Sequence, residues 1–177
     1  AETLLELCEN RKYLGATPGI IQVLHTWGQE LNFHPHIHCI VSGGGLTKSL
    51  NLKKCGSGFF IPARVLASKF QGKFLTYLQE YYHSSKLCFS DSCKHLQNSY
   101  QWAEFRDSLY QKTWVPNIKE TFNGFGNAIE YLGRYTHRIA ITNSRIVQVN
   151  ESTVTFTAKD YKNGGTKNVT LSNKEFI

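Results

Sequence analysis

The sequence predicts an α+β fold, in which helices pack on a central antiparallel β-sheet. Candidate strands and helices are interleaved along the 177 residues, and the strands come in pairs joined by short links. No long series of β-α-β units is present, so the sheet is not a parallel one. We expect a single domain over residues 1–177, because 41% apolar residues are enough for one core of ordinary size. The chain contains no methionine, and we therefore expect it to be a fragment of a longer protein.

The first part of the chain is predicted to hold a short helix, a hairpin and a long helix. Residues 2–13 place apolar side chains on one side of a helix, and residues 20–27 and 36–42 read as two strands of one hairpin. The three glycines at 43–45 are expected to end the second strand. The long helix begins near Pro62, and an apolar residue recurs at every fourth position. These positions are Leu66, Phe70, Phe74, Leu78 and Tyr82.

The second part of the chain is also predicted to contain both helices and strands. Residues 96–110 read as a helix and residues 112–119 as a strand. Asn127 is a suitable N-cap for a helix that runs to about residue 135 or 138. Strands are then expected over residues 139–149, 153–159 and 168–171, with turns near residues 150–152 and 164–165. The central sheet would thus carry the first hairpin, and one of the packed helices would follow the loop at residues 122–127.

Charge and cysteine content narrow the class of protein. Twenty Lys and Arg against thirteen Asp and Glu give a net charge of +7, which favours a polyanionic partner. No apolar run is long enough for a membrane span, and the N-terminus lacks the basic start of a signal peptide. The five cysteines are odd in number and scattered, which favours reduced thiols in the cytoplasm.

Two histidines separated by one residue are the main chemical signal. His36 and His38 lie on the second predicted strand, where residues i and i+2 point to the same side. Two convergent imidazoles supply two ligands of a divalent metal site. Ile37 and Ile40 suggest that this strand is buried, and buried imidazoles need a partner such as a metal ion. His34 precedes a proline in the loop, and its direction cannot be inferred.

A third ligand is expected from the neighbouring strand, where His25 and Gln29 are both candidates. Gln29 lies nearer the turn and is favoured, although His25 is the better intrinsic ligand. A site of two imidazoles and one amide oxygen has no thiolate, and it suits Mg²⁺ or Mn²⁺ better than structural Zn²⁺.

Two tyrosines four residues apart, Tyr131 and Tyr135, would share one face of a helix. A similar pair, Tyr77 and Tyr81, borders the apolar positions of the long helix, and packing accounts for it. The first pair instead follows a glycine-rich loop and lies among basic residues. A phenol has a pKa near 10, so its attack at neutral pH needs a nearby cation or base. The basic neighbours, which are also candidates for DNA phosphate contacts, are Arg134, His137 and Arg138.

Together these segments resemble the HUH endonuclease superfamily, and more narrowly the two-tyrosine rolling-circle transposases of bacterial insertion sequences. The resemblance covers about residues 19–145. It is carried by LHTWGQ (24–29), HPHIH (34–38), GGGL (43–46) and YLGRYTHRIAI (131–141), followed by Asn143 and Arg145.

The resemblance implies an enzyme that cleaves and transfers single-stranded DNA through 5′-phosphotyrosine intermediates. By position, His36 and His38 match the family's metal ligands, and Gln29 falls where related enzymes place a polar third ligand. Tyr131 and Tyr135 match the nucleophiles, and Tyr135 is the slightly favoured first one. The implied partners are the element ends and target DNA, in the bacterial cytoplasm. The sequence leaves the oligomeric state open.

Three alternatives remain at this stage. The first is a replication initiator or relaxase of the same superfamily, which would use the same chemistry. The second is a metal-dependent hydrolase with a water nucleophile, in which the tyrosines would be dispensable. The third is a non-catalytic DNA-binding remnant of a transposase, in which the histidines would be dispensable.

Overall fold

The computed structural model describes residues 1–56, 61–118, 130, 133 and 140–177. It forms two compact units, one of residues 1–20 and 41–121 and the other of residues 21–40 and 122–177. The predicted α+β class is confirmed, since helices accompany two three-stranded antiparallel sheets of order β1-β2-β3 and β4-β5-β6. The elements are α1 (Glu2–Glu9), β1 (Thr17–Trp27), β2 (Phe33–Leu46), β3 (Leu52–Lys54), α2 (Ala63–His83), α3 (Ser99–Gln111), β4 (Ile146–Val149), β5 (Thr153–Lys159), β6 (Thr166–Ser172) and α4 (Asn173–Phe176).

The core of the first unit forms where α1 meets the start of α2. Its buried members are Leu4, Leu7, Cys8, Leu14, Ala16 and Ile61. Helix α1 ends four residues earlier than predicted, because the chain turns back at Gly15. That glycine has a φ of +64°, a left-handed conformation that side chains disfavour, and its N–H donates to the carbonyl of Asn10 at 3.0 Å. The turn brings the start of β1 back toward α1.

Helix α2 begins directly after Pro62, as predicted, but its apolar stripe is only partly covered. Leu75 is buried, whereas Phe70 and Phe74 keep 41% and 43% of their surface exposed. These two rings lie against Trp114, with centroids 5.7 and 5.3 Å away. The predicted strand at residues 112–119 is wrong for its described residues 112–118, which have no regular secondary structure. Pro116 lies in that segment and has no N–H for a strand ladder.

The glycines at 43–45 do not end β2 as expected; the strand continues through them to Leu46. A Cβ on Gly44 would lie 2.7 Å from the carbonyl oxygen of Lys53, and a Cβ on Gly45 would lie 2.4 Å from that of Thr17. Both distances are too short for any side chain. These two glycines therefore allow β1 and β3 to approach β2 closely. The short edge strand β3 was not predicted.

The second unit contains the sheet β4-β5-β6. Strand β5 has the predicted bounds and alternates strictly, with Val154, Phe156 and Ala158 buried and the threonines between them half-buried. Strand β4 is shorter than the predicted one because a 3₁₀ turn, Asn143–Arg145, precedes it. In the part of the chain that the structure describes, no helix has the length and apolar character that crossing a bilayer requires.

Candidate metal centre

The histidines lie on the hairpin of β1 and β2. Its loop comprises the five residues 28–32, since β2 begins at Phe33, three residues earlier than predicted. The loop closes when the N–H of Gly28 donates to the carbonyl of Asn32 at 2.9 Å. The side-chain oxygen of Asn32 lies close to Gly28, only 2.4 Å from where a Cβ would be. The shorter loop changes which residue of β1 reaches the histidines of β2.

Three imidazoles converge on this hairpin. One potential ligand atom from each of His25, His36 and His38 lies within 4.8 Å of the other two. The ring centroids of His38 are 4.9 Å from those of both His25 and His36, and His25 and His36 are 5.5 Å apart. His25 is buried and the other two are half-buried. The side-by-side placement predicted for His36 and His38 is therefore present.

Two neighbours hold the rings in place. The ring of His25 stacks on Trp27, with centroids 5.3 Å apart and planes 12° from parallel. The Nδ1 atom of His36 lies 2.8 Å from the carbonyl oxygen of His34. A carbonyl only accepts, so Nδ1 carries the proton and Nε2 keeps its lone pair. Fixing one ring nitrogen in this way leaves the other ready to bind a metal.

The electrostatic setting favours the neutral form of His38. Burial lowers the pKa of His38, and the positive charge that His36 and His25 would carry when protonated lowers it further. A neutral imidazole is the form that binds a metal ion. The expectation that the whole strand is buried is wrong, because Ile37, which points to the other side, is 53% exposed.

A divalent ion fits these donors. Metal–nitrogen bonds of about 2.0–2.1 Å hold ligand nitrogens roughly 3–3.5 Å apart, so small side-chain rotations would close the observed spacing. Three imidazoles are also a donor set that transition metals accept. Among the described His, Cys, Asp and Glu residues, this is the group with suitable geometry, and Cys88, Cys93 and His95 do not form one.

Gln29, the favoured third ligand, lies in the loop and is exposed. Its main-chain carbonyl accepts a hydrogen bond from Arg145. The donor that accompanies His36 and His38 in the cluster is instead on His25, the other candidate. Strand alternation allowed both His25 and Gln29, and Gln29 was favoured because it lies nearer the turn of a loop that was predicted too long. The role of Gln29 as a ligand stays a prediction, and the geometry favours His25.

The predicted nucleophiles and their basic neighbours lie outside the described residues. These are Tyr131, Arg134, Tyr135, His137 and Arg138. The second tyrosine pair is described. The hydroxyl of Tyr77 donates to the Glu2 carboxylate, which raises the pKa of that phenol, and the ring of Tyr81 lies 5.7 Å from the ammonium of Lys86. A raised pKa is the opposite of what a nucleophilic phenol needs, which agrees with a structural role for this pair.

Comparison with known proteins identifies the family. A family model described as "Putative transposase" (Y2_Tnp) matches residues 19–177. The "Putative transposase y4qJ" of Sinorhizobium fredii is 40% identical over 179 residues, an alignment that covers 100% of this chain and 45% of the relative. The "Transposase for insertion sequence element IS801" of Pseudomonas savastanoi pv. phaseolicola is 26% identical over 182 residues, covering 100% and 42%. No solved structure matches.

The chain spans less than half the length of these two curated relatives. The family match nevertheless includes the histidine hairpin and the segment of the predicted tyrosine helix, and it extends over most of the chain. This chain belongs to the Y2_Tnp family of transposases of bacterial insertion sequences.

Proposed function

We propose that the chain is the catalytic domain of a transposase that cleaves and rejoins single-stranded DNA through phosphotyrosine intermediates in rolling-circle transposition. Membership of the transposase family supports a DNA substrate, and such a substrate implies action in the bacterial cytoplasm. The observation that carries the chemistry is the convergence of three imidazoles on one hairpin.

His25, His36 and His38 would hold one divalent ion. When bound, the ion supplies a Lewis acid for a non-bridging oxygen of the scissile phosphate. The hydrogen bond from His36 to the main chain fixes the ring whose Nε2 would point at the ion. An all-imidazole set suits Mn²⁺ better than Mg²⁺, which prefers oxygen ligands. Gln29 remains a candidate for an additional oxygen ligand.

The tyrosines would carry the covalent step. The phenolic oxygen of Tyr131 or Tyr135 attacks the phosphorus atom, an O–P bond forms, and the bond from phosphorus to the 3′ oxygen breaks. The proton lost by the phenol is matched by the one gained by the leaving 3′-OH. One phosphodiester is thus exchanged for another, so the strand can be rejoined without ATP. The 5′ end stays attached to the protein.

Two nucleophiles explain how transfer would proceed. With one strand end held on the first tyrosine, the second cleaves another phosphodiester before the first end is released. We favour Tyr135 as the first nucleophile, because Arg134, His137 and Arg138 lie closest to it along the chain. The same three side chains would contact the phosphates of the bound strand.

The test is to incubate the chain with 5′- and 3′-labelled single-stranded DNA carrying the element ends, in Mn²⁺ or Mg²⁺. We expect a protein–DNA adduct that survives denaturation and retains the 3′-side fragment. The double variant Tyr131→Phe/Tyr135→Phe should lose the adduct while still binding Mn²⁺. The matched variant Tyr77→Phe/Tyr81→Phe removes an equally spaced pair and should retain the adduct.

Two results would overturn the proposal. Cleavage that persists in Tyr131→Phe/Tyr135→Phe, with no adduct, would indicate a hydrolase with a water nucleophile. DNA binding without cleavage in either ion, and unaffected by His36→Ala, would indicate a non-catalytic remnant.

A further inference from the structure

Acidic residues are almost absent from a long stretch of the chain. Between residues 10 and 79 the only carboxylate is Glu30, against eight Lys and Arg. Glu30 pairs with Lys167, and two of the eight, Lys69 and Lys73, pair with Glu2 or Glu6 of α1. The other six form no ion pair with any described residue. They are Arg11, Lys12, Lys48, Lys53, Lys54 and Arg64.

Two of these cations, Arg11 and Lys53, lie close together in the first unit, and two more are their neighbours along the chain. A Cβ on Gly15 would lie 2.9 Å from the ammonium of Lys53 and 3.3 Å from the Cα of Arg11. The edge strand β3 therefore brings Lys53 against the turn that follows α1. Lys12 and Lys54 are the exposed neighbours of these two residues. We call Arg11, Lys12, Lys53 and Lys54 the basic edge.

A groove of about 750 Å³ adjoins the basic edge at Lys54. Its floor is mostly main chain, because Gly19 and Gly44 have no side chains there. The hydroxyl of Ser42 accepts from the N–H of Gly19 at 2.9 Å and donates to the carbonyl of Gly44. These three polar groups thus bond to one another, and Lys54 is the charged residue among those that line the groove.

The part of the groove beside Lys54 is apolar and open. Leu46 and Leu52 form it, and they are 49% and 71% exposed. Leu46 and Leu52 face each other across β2 and β3, so they form a small apolar patch next to the basic edge. A ligand that combines regular negative charge with flat apolar faces would cover both.

We propose that the basic edge and this groove bind single-stranded DNA, with phosphates on the cations and unpaired bases or sugars against Leu46 and Leu52. The inference rests on the proposed function in taking DNA as the substrate, and it adds a surface that contains none of the proposed metal ligands or nucleophiles. Unpaired bases offer apolar faces to a protein, whereas duplex bases are stacked inside the helix. A single strand therefore fits this groove better than a duplex.

The test measures binding without cleavage. Anisotropy of a labelled single-stranded 20-mer is followed in EDTA over a series of salt concentrations. Lys53→Glu/Lys54→Glu should weaken binding at least about tenfold at low salt, and the slope of log K against log salt should fall by about 1.4 for two lost phosphate contacts. Leu52→Ser should weaken binding of the single strand more than binding of a duplex of the same sequence.

The control is Lys159→Glu/Lys162→Glu, which makes the same charge change at two exposed lysines of the second unit. It should change the affinity less than about threefold. Thermal melting checks that each variant folds, and Lys53→Gln/Lys54→Gln repeats the test with a milder change that should act in the same direction. An unchanged affinity and slope in the folded Lys53/Lys54 variants, or an equal loss in the control, would overturn the proposal.

The two proposals fail separately. If the unmodified protein forms the covalent adduct and the basic-edge variants bind DNA normally, only the proposed DNA-binding surface is ruled out. If the unmodified protein forms no adduct but its DNA binding depends on the basic edge, only the proposed catalytic function is ruled out.

Discussion

The guanidinium group of Arg145 donates a hydrogen bond to the main-chain carbonyl of Gln29, 116 residues earlier in the chain. Its Nε atom donates to the carbonyl of Thr157 at 2.8 Å, and the group lies 5.5 Å from the ring centroid of Phe156. One side chain thus links the histidine hairpin to the sheet β4-β5-β6 of the same unit. The ion pair of Glu30 with Lys167, at 2.6 Å, joins the same loop to β6. Arg145 is therefore a positioning residue for the hairpin.

Replacing Arg145 by lysine should destabilise the protein although the charge is kept. A single ammonium cannot reproduce the planar fork that serves two carbonyls and a ring. Loss of one charged hydrogen bond costs about 1.5–3 kcal/mol, which corresponds to a fall in Tm of roughly 3–12 °C for a chain of this size. Calorimetry should show this fall in Arg145→Lys and little change in Arg106→Lys, where the arginine pairs with the adjacent Asp107. Equal melting temperatures for the two variants would contradict the positioning role.

The choice between His25 and Gln29 as metal ligand can be measured directly. His25→Ala removes one of three converging donors, and we expect Mn²⁺ affinity to fall at least about 10–100-fold, the range found even for residues that only orient a ligand. Gln29→Ala should change the affinity less than about threefold, because its main-chain bond to Arg145 survives. Titration calorimetry of both variants measures the two effects. The reverse order of losses would restore Gln29 as the third ligand.

Local pattern predicted the parts of this fold that depend on near neighbours. The alternation in β5 gave its bounds because each of its side chains is either in a core or against solvent. The spacing of His36 and His38 similarly placed both rings on one side of β2. Pro62 marked the start of α2 for an equally local reason, since its fixed φ suits the position before a helix.

The features that were predicted wrongly depend on contacts between residues far apart in the sequence. Gly44 and Gly45 looked like a strand end, but they are small because the main chains of Thr17 and Lys53 approach them. No local pattern encodes that approach. The identity of the third imidazole depended on a loop length of five residues, which is set by the closure between Gly28 and Asn32. The predicted hairpin is present, but the sequence did not show which residues of its two strands lie opposite each other.

The ionised carboxylate of Glu6 should stabilise the protein, and this stabilisation should be lost in acid. Hydrogen bonds from Lys69 and then Lys73 lower its pKa below the usual 4.5. A carboxyl whose pKa is lower in the folded state stabilises the protein above its unfolded pKa, and this contribution is lost as the pH falls through the folded value. We expect Tm to fall between about pH 5 and pH 3, and to fall less in Glu6→Gln.

The matched change Glu151→Gln serves as the control, because no described cation pairs with that exposed carboxylate. In this variant Tm should fall with decreasing pH as steeply as it does in the parent protein. At pH 7 the Glu6→Gln variant should melt below the parent, and the difference should shrink as the pH falls. A difference that grows in acid would have the wrong sign for a lowered pKa.

Two glycines of β2, Gly43 and Gly45, should respond differently to the same substitution. A Cβ on Gly45 would lie 2.4 Å from the carbonyl oxygen of Thr17 and 2.9 Å from the main-chain nitrogen of Pro18, both on the neighbouring strand β1. A Cβ on Gly43 would meet nothing within 4 Å. Because the obstruction at Gly45 is main chain, it cannot rotate away, and Gly45→Ala should cost about 1–3 kcal/mol through forced backbone shifts. Gly43→Ala should be neutral or slightly stabilising, since it reduces the freedom of the unfolded chain. Urea unfolding of the two variants measures both effects, and equal midpoints would mean that β1 and β2 do not approach as closely as described.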